Sequence, residues 1–397
     1  MIDEDFPRTS AILEQEVRDG LFTRGAQVVV RHGGEVVLDA ALGDAGLGQE
    51  VTPETVFRVY CTIKPITAVA VVGLVDGGQL DLEEPVVDRL PNLKEMPPEA
   101  RIVDLLDHTA GLHRIAAVRM EMLPPAKQRD VLERAKPPAG WKVGRNAGYS
   151  EYAAWNLLGW IVEDLTGEDL RTYLRRAVLD PLGMTDTWVG MTDDEYDAVL
   201  PRLGVNYDLT DYLQGFPMVI ERTPRWCCLV NPAHGGYTTA RDLATFYDAL
   251  LERLDGGGND ALPSPEALTT ATSAVRPRVF DEVLDRECEY GLGFMTDLAH
   301  HAFGPMCSPS SFGHSGNVGS SFAFADPEHD LAVAVVFNGI VDSESSFLRR
   351  PAVVGSLYHD LGLLGGEEDE EDEEDEGEGD AVEEEAPRRG LRRFLRR

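Results

Sequence analysis

The chain predicts an α+β fold: one antiparallel sheet flanked by helices, assembled from both ends of the sequence, with a helical lobe in the middle. Two hairpin signatures and one unbroken apolar helix carry that prediction. Gln27-Val28-Val29-Val30 and Val36-Val37-Leu38 flank His32-Gly33-Gly34, two β-rich runs about a glycine turn. Ser321-Phe322-Ala323-Phe324-Ala325 and the run from Leu331 to Phe337 repeat the pattern across Asp326-Pro327-Glu328-His329-Asp330.

Taken in order, Ile12 to Asp19 reads as a short amphipathic helix, with Ile12, Leu13 and Val17 on one side and Gly20 after its end. The first hairpin follows. From Ile66 to Val75 the residues are apolar all round, which places that helix in the centre of the protein. Pro65 is tolerated only in a first turn, where its missing N–H is not needed. The helix therefore starts near Cys61 or Thr62 and stops at Asp76-Gly77-Gly78. Trp155, Leu158, Val162 and Leu165 recur at helical spacing from about Glu151 to Leu165, and Thr166-Gly167 ends that helix. Ala240 to Leu251 is a further helix. No internal repeat is evident. A folded domain is expected over 1–366 and a disordered low-complexity tail over 367–397.

Charge narrows the partners. There are 70 Asp plus Glu against 36 Lys plus Arg, a formal net charge of -34. Such a field repels phosphates, so no nucleic acid is expected to bind. The tail is mostly acidic from Glu367 to Glu385 and then ends in an Arg-rich segment. That segment carries Leu391, Phe394 and Leu395 at helical spacing. It reads either as a plain disordered end or as a short basic helix in weak contact with an anionic membrane surface. The acidic amino terminus has no apolar run behind it, so no export signal is expected. Ile66 to Val75 is too short to span a bilayer. Five cysteines follow no zinc spacing, and the expectation is a cytoplasmic protein with free thiols, no metal and no cofactor. His300-His301 reads as a solvated loop pair. Trp226-Cys227-Cys228 reads as core packing or, alternatively, as part of a cleft.

Cys61-Thr62-Ile63-Lys64 holds the chemistry. Positions i and i+3 share a helix face, so the thiol and the ammonium meet at the amino end of the buried helix. A helix N-terminus and a nearby cation both favour a thiolate. The plainer alternative is a small buried cysteine beside a surface lysine.

The surroundings of that pair decide between these readings. Val56 to Ala68 resembles the opening Ser-x-x-Lys motif of the serine β-lactamase and penicillin-binding-protein-like family, in its class C and esterase branch. Leu105-Leu106-Asp107-His108-Thr109-Ala110-Gly111-Leu112 is similar to that family's "LLTHTSGL" segment. Pro181-Leu182-Gly183-Met184-Thr185-Asp186-Thr187, Gly235 to Asp242, Tyr290-Gly291-Leu292-Gly293-Phe294 and Gly313-His314-Ser315-Gly316 follow in the family's order. The resemblance spans roughly residues 10 to 360.

It implies a β-lactamase/transpeptidase-like fold and an acyl-transfer site. Tyr149-Ser150-Glu151 occupies the place of the family's Tyr-x-Asn, which makes Tyr149 the implied proton shuttle, with Tyr152 as the competing register. Glu151 replaces an amide by a carboxylate. His314-Ser315-Gly316 fits the third element. The resemblance implies that His314 holds the substrate carbonyl or the Tyr149 hydroxyl. It also implies that Glu151, Ser315, Gly316 and Asn317 line the substrate, and that backbone N–H groups of Cys61 and of a 317–321 strand form the oxyanion hole. His108 is read as structural.

Cys61 departs from the serine of the motif. Either Cys61 is a working nucleophile forming a thioester, or the fold survives as a catalytically silent binding or scaffold protein; a redox or metal role lacks the paired spacing it needs. Retention of Lys64, Tyr149 and His314 favours the first. The expected activity is an amide, ester or peptide hydrolase or transacylase acting on a small-molecule or peptide acyl substrate.

Overall fold

The computed structural model describes residues 3–211 and 215–364. The predicted tail and its basic segment lie outside the described residues. Helix α1 (Pro7–Asp19) precedes the first hairpin, β1 (Gly25–His32) and β2 (Glu35–Gly46), and a short β3 (Gln49–Glu50). The middle of the chain holds α2 (Lys64–Asp76), α3 (Ala153–Thr166) and α4 (Ala240–Leu254). Then come β4 (Arg276–Asp281), β5 (Arg286–Tyr290), β6 (Met295–Thr296), β7 (Phe312–Ser315), β8 (Ser321–Asp326) and β9 (Leu331–Phe337). Helix α5 (Ser343–Asp360) follows.

These nine strands form one sheet in the order β3-β2-β1-β9-β8-β7-β6-β5-β4. The two ends of the sequence meet at β1 and β9, which pair antiparallel with Val28 opposite Val335. Both predicted hairpins are present, and the α+β prediction holds. Strands β4 to β7 carry the sheet beyond what the sequence indicated.

Period-two alternation sorts the sheet into two cores. Ala323, Ala325, Ala332, Ala334 and Val336 face the apolar cluster that includes α2, α3 and α4. Small side chains there let α4 lie close against the strands. Phe322, Phe324, Val333, Val335 and Phe337 face the other way, against Leu13 of α1 and Val353, Val354 and Leu357 of α5. The sheet is thus covered on both faces, and each fully buried Val, Leu or Phe side chain adds about 1.5–3 kcal/mol.

Helix α2 is buried almost from end to end, from Lys64 to Leu74. A 3-10 turn over Cys61–Ile63 leads into it, so the helical stretch begins at Cys61 as predicted and Pro65 falls in the first α-turn. Among the described residues no helix is long and apolar enough to cross a membrane.

Candidate active site

The central helix delivers Cys61 to the sheet edge through a strained joint. Tyr60, the last residue of the short strand Phe57–Tyr60, has φ 53° and ψ -129°, a region costly for a residue with a side chain, by about 1–3 kcal/mol. Its ring is held in place. The Tyr60 hydroxyl donates to Glu221 Oε2 at 2.8 Å and accepts from the Asn206 amide at 3.0 Å. The kink turns the chain so that Cys61 begins the helix facing a cavity of about 500 Å³.

Gly316 allows the opposing strand end to approach. A Cβ there would stand 2.2 Å from Ser321 Oγ and 2.4 Å from the Val59 carbonyl oxygen. The cavity wall then includes Cys61, Tyr149, Glu151, Ser315, Gly316 and Asn317 from the predicted set. It also includes His301, Met295, Phe347 and Arg350.

Lys64 is completely buried. Its ammonium donates to the Ala233 carbonyl at 2.5 Å and to the Glu151 carbonyl at 3.1 Å. No carboxylate forms an ion pair with it among the described residues. Burial therefore lowers its pKa from 10.5, and the strongest opposing influence is the negative form of Cys61. An ammonium has three N–H groups. Two go to carbonyls, and the third position is left for Cys61 as a proton or, in the neutral amine, as a lone pair.

Tyr149 supplies the other face. Its backbone N–H donates to Asp281 Oδ1 at 3.0 Å, and Arg276 fixes that carboxylate from the far side at 3.1 Å. The Tyr149 ring lies 5.2 Å from the Lys64 ammonium and 4.5 Å from the His108 ring. Its hydroxyl is buried with no aligned hydrogen-bond partner among the described residues. Burial, and next the negative form of Cys61, push its pKa well above 10. Of the two tyrosines Tyr149 lines the cavity, whereas Tyr152 turns away and donates to Gln128 Oε1 at 3.0 Å.

His314 lies behind the cavity wall. The ring is fully buried and is not part of the cavity wall. Nδ1 faces the Ser315 carbonyl oxygen at 2.8 Å, so the proton sits there, and Nε2 accepts from the Tyr290 hydroxyl at 3.0 Å. Burial and the Lys64 charge keep its pKa well below 6.5, so the imidazole is neutral. With both nitrogens occupied, it stands behind Tyr149, 5.9 Å ring to ring. Glu151 lines the cavity while its Oε2 accepts the Ala117 N–H at 3.0 Å. The expected 317–321 strand is a 3-10 turn over Asn317–Gly319, with β8 starting only at Ser321.

Other expectations resolve as follows. His108 accepts the Ser150 N–H at 3.0 Å, a structural contact that holds the Tyr149 loop. His300-His301 is no solvated loop pair: it closes a 3-10 turn over Leu298–His301, and His301 is buried with its Nε2 2.8 Å from the Glu289 carbonyl. Cys227 is core, and Trp226 lies 4.8 Å over the Arg58 guanidinium rather than in the cavity. Reading the sequence missed Arg350. It lies on α5, 5% exposed, donating to the His301 carbonyl at 3.0 Å and to Ser346 Oγ at 3.3 Å, with a buried Nε that has no partner among the described residues. Burial and two neighbouring arginines lower its pKa to about 9.

A thiol and a phenol thus share one cavity wall, with a buried amine beside the phenol ring. The chain belongs to the Beta-lactamase family, whose model matches residues 13–354. It is 32% identical over 212 residues to Esterase EstB of Burkholderia gladioli, a match covering 48% of this chain and 53% of the esterase. It is 26% identical over 348 residues to Esterase/beta-lactamase LipL of Mycobacterium tuberculosis, covering 80% and 77%. A penicillin-binding protein homologue from Caulobacter crescentus superposes with a TM-score of 0.72 at 26% identity, over 91% of this chain and 99% of that one.

Proposed function

We propose that the chain is an acyl-transfer hydrolase or transacylase that works through a thioester on Cys61. The observation that carries this reading is that Cys61 and Tyr149 share one cavity wall, with the buried, carbonyl-anchored Lys64 ammonium 5.2 Å from the Tyr149 ring behind it. Neutral Lys64 takes the thiol proton, and the thiolate attacks the substrate carbonyl carbon. Backbone N–H groups of Cys61 and of the Asn317 turn receive the developing oxyanion. As the bond to the leaving group breaks, Tyr149 passes the proton from Lys64 to that group. Water, or an amine acceptor, then attacks the thioester, returning the proton by the same route and freeing Cys61. His314 and Tyr290 keep the wall rigid behind Tyr149. Arg350, which has no carboxylate partner among the described residues, favours a small-molecule or peptide substrate bearing an anionic or carbonyl-rich acyl group.

Intact-mass spectrometry with p-nitrophenyl acetate tests this directly. The expected result is one acetyl adduct per chain, absent in Cys61→Ala and discharged faster when an amine is added. Cys61→Ser should retain adduct formation, because the rest of the machinery accepts either nucleophile. Failure of the native chain to form any Cys61 adduct, with a thiol inert to alkylation, would leave the silent binding protein as the correct reading.

A further inference from the structure

On the outer face of the sheet, away from Cys61, three side chains from separate segments converge. Glu289 projects from β5, Asp297 follows β6, and His300 lies in the 3-10 turn after it. Their ligand atoms all lie within 4.8 Å of one another. His300 Nδ1 is 3.0 Å from Glu289 Oε2 and 3.1 Å from Asp297 Oδ2. Both oxygens crowd the same ring nitrogen. One N–H would have to be shared between them in a three-centre bond, weaker toward each than a direct one. Three donors around a common ion do fit these spacings. With metal–ligand bonds of about 2.0–2.2 Å, neighbouring donor atoms stand about 3.0–3.4 Å apart.

Two further observations point the same way. Neither carboxylate has a lysine or arginine within ion-pair distance among the described residues; His300 is the nearest cationic group, and Arg278 acts on Asp297 only from farther away. Thr296 lines the same surface cavity as Glu289 and Asp297, and its hydroxyl, in a side chain 3% exposed, has no hydrogen-bond partner among the described residues. Alternation on β6 explains this placement: Met295 faces the acyl cavity, so Thr296 faces away from it.

We propose that Glu289, Asp297 and His300 bind a divalent transition metal ion of the Zn2+ type on the face of the sheet where Thr296 lies. Two carboxylate oxygens and one imidazole nitrogen suit Zn2+ and disfavour a thiophilic ion. The ion would clamp β5 to the turn that carries His301, a residue of the acyl cavity wall. It takes no part in acyl transfer.

The full chain is dialysed against Zn2+ and its metal content and melting temperature are measured, with His300→Ala and Asp297→Asn alongside. One Zn2+ per chain should bind tightly and be lost in both variants. Free Zn2+ at 100 times Kd should raise the native melting temperature by about 4 °C and leave the variants unmoved. Co2+ should give visible d–d bands without a thiolate charge-transfer band, which separates this site from the cysteines. Zn2+ content, melting shift and Co2+ spectrum identical in the native chain and a folded His300→Ala would overturn the proposal, leaving acidic surface and thiols as the binders. Circular dichroism identifies a folded variant, and Asp297→Asn, which keeps the imidazole, serves if His300→Ala does not fold.

Discussion

Arg58 and Lys64 are buried cations six residues apart on the same stretch of chain, and their surroundings differ in kind. Arg58 is held between Glu121 and Glu221, with the His234 carbonyl at 3.2 Å, and its two carboxylates raise its pKa despite full burial. Lys64 has no ion-pair partner among the described residues, its ammonium donates to two carbonyl oxygens, and burial lowers its pKa. A clamped guanidinium is a fixed charge. An amine offered dipoles but no counter-ion can give up its proton, which a catalytic base must do. The strained Tyr60 joins the two regions, since its hydroxyl is anchored to the Arg58 cluster while its backbone aims Cys61.

The largest expected effect removes the mobile proton. Lys64→Met should lower kcat/KM for ester cleavage by about 10³-fold, about 4 kcal/mol of transition-state stabilisation, while urea unfolding shows stability unchanged or raised. A parallel loss of stability would show that Lys64 is a structural cation like Arg58. The next effect breaks the clamp. Glu121→Ala leaves Arg58 with one carboxylate and should cost about 3 kcal/mol in urea unfolding, because a buried charge is left half-compensated. The smallest is read from pH. His314 is held neutral in the folded state, its pKa depressed below that of the unfolded chain. Its share of stability is complete above about pH 6.5 and falls by about 1.4 kcal/mol per pH unit as the pH drops below that value. Subtracting the stability profile of His314→Gln from that of the native chain should show this slope between pH 6 and 5. A flat difference would mean that the ring protonates in place.

Legibility in the sequence followed locality. The hairpins at β1–β2 and β8–β9 declare themselves by alternation about glycine or Asp-Pro turns. The helix after Cys61 declares itself by being apolar throughout. Cys61, Lys64 and Tyr149 were readable because they sit in short motifs beside element starts. Strands β4 to β7 were not, because they are two to six residues long and carry Pro277, Glu287 and Gly313 among their apolar positions. Helix α5 was hidden by Pro351 and by two arginines that look solvent-facing yet are buried. The surroundings of His314 were not legible because the motif indicates which residue occupies a position, not which neighbour will occupy its nitrogens. Tyr290, arriving from β5, takes Nε2, and no local pattern announces that.

The hydroxyl of Tyr149 has a practical consequence. A buried phenol that lacks an aligned partner among the described residues, and has the weakly accepting Cys61 sulfur beside it, holds less hydrogen-bond energy than a fully satisfied one, by about 1 kcal/mol. Any compound that enters the cavity and offers an oxygen at that point recovers part of this deficit, whether or not it is turned over. Heat resistance in the presence of a compound library therefore becomes a substrate-blind reporter of occupancy, and the hits would outline the natural acyl group before any reaction is known.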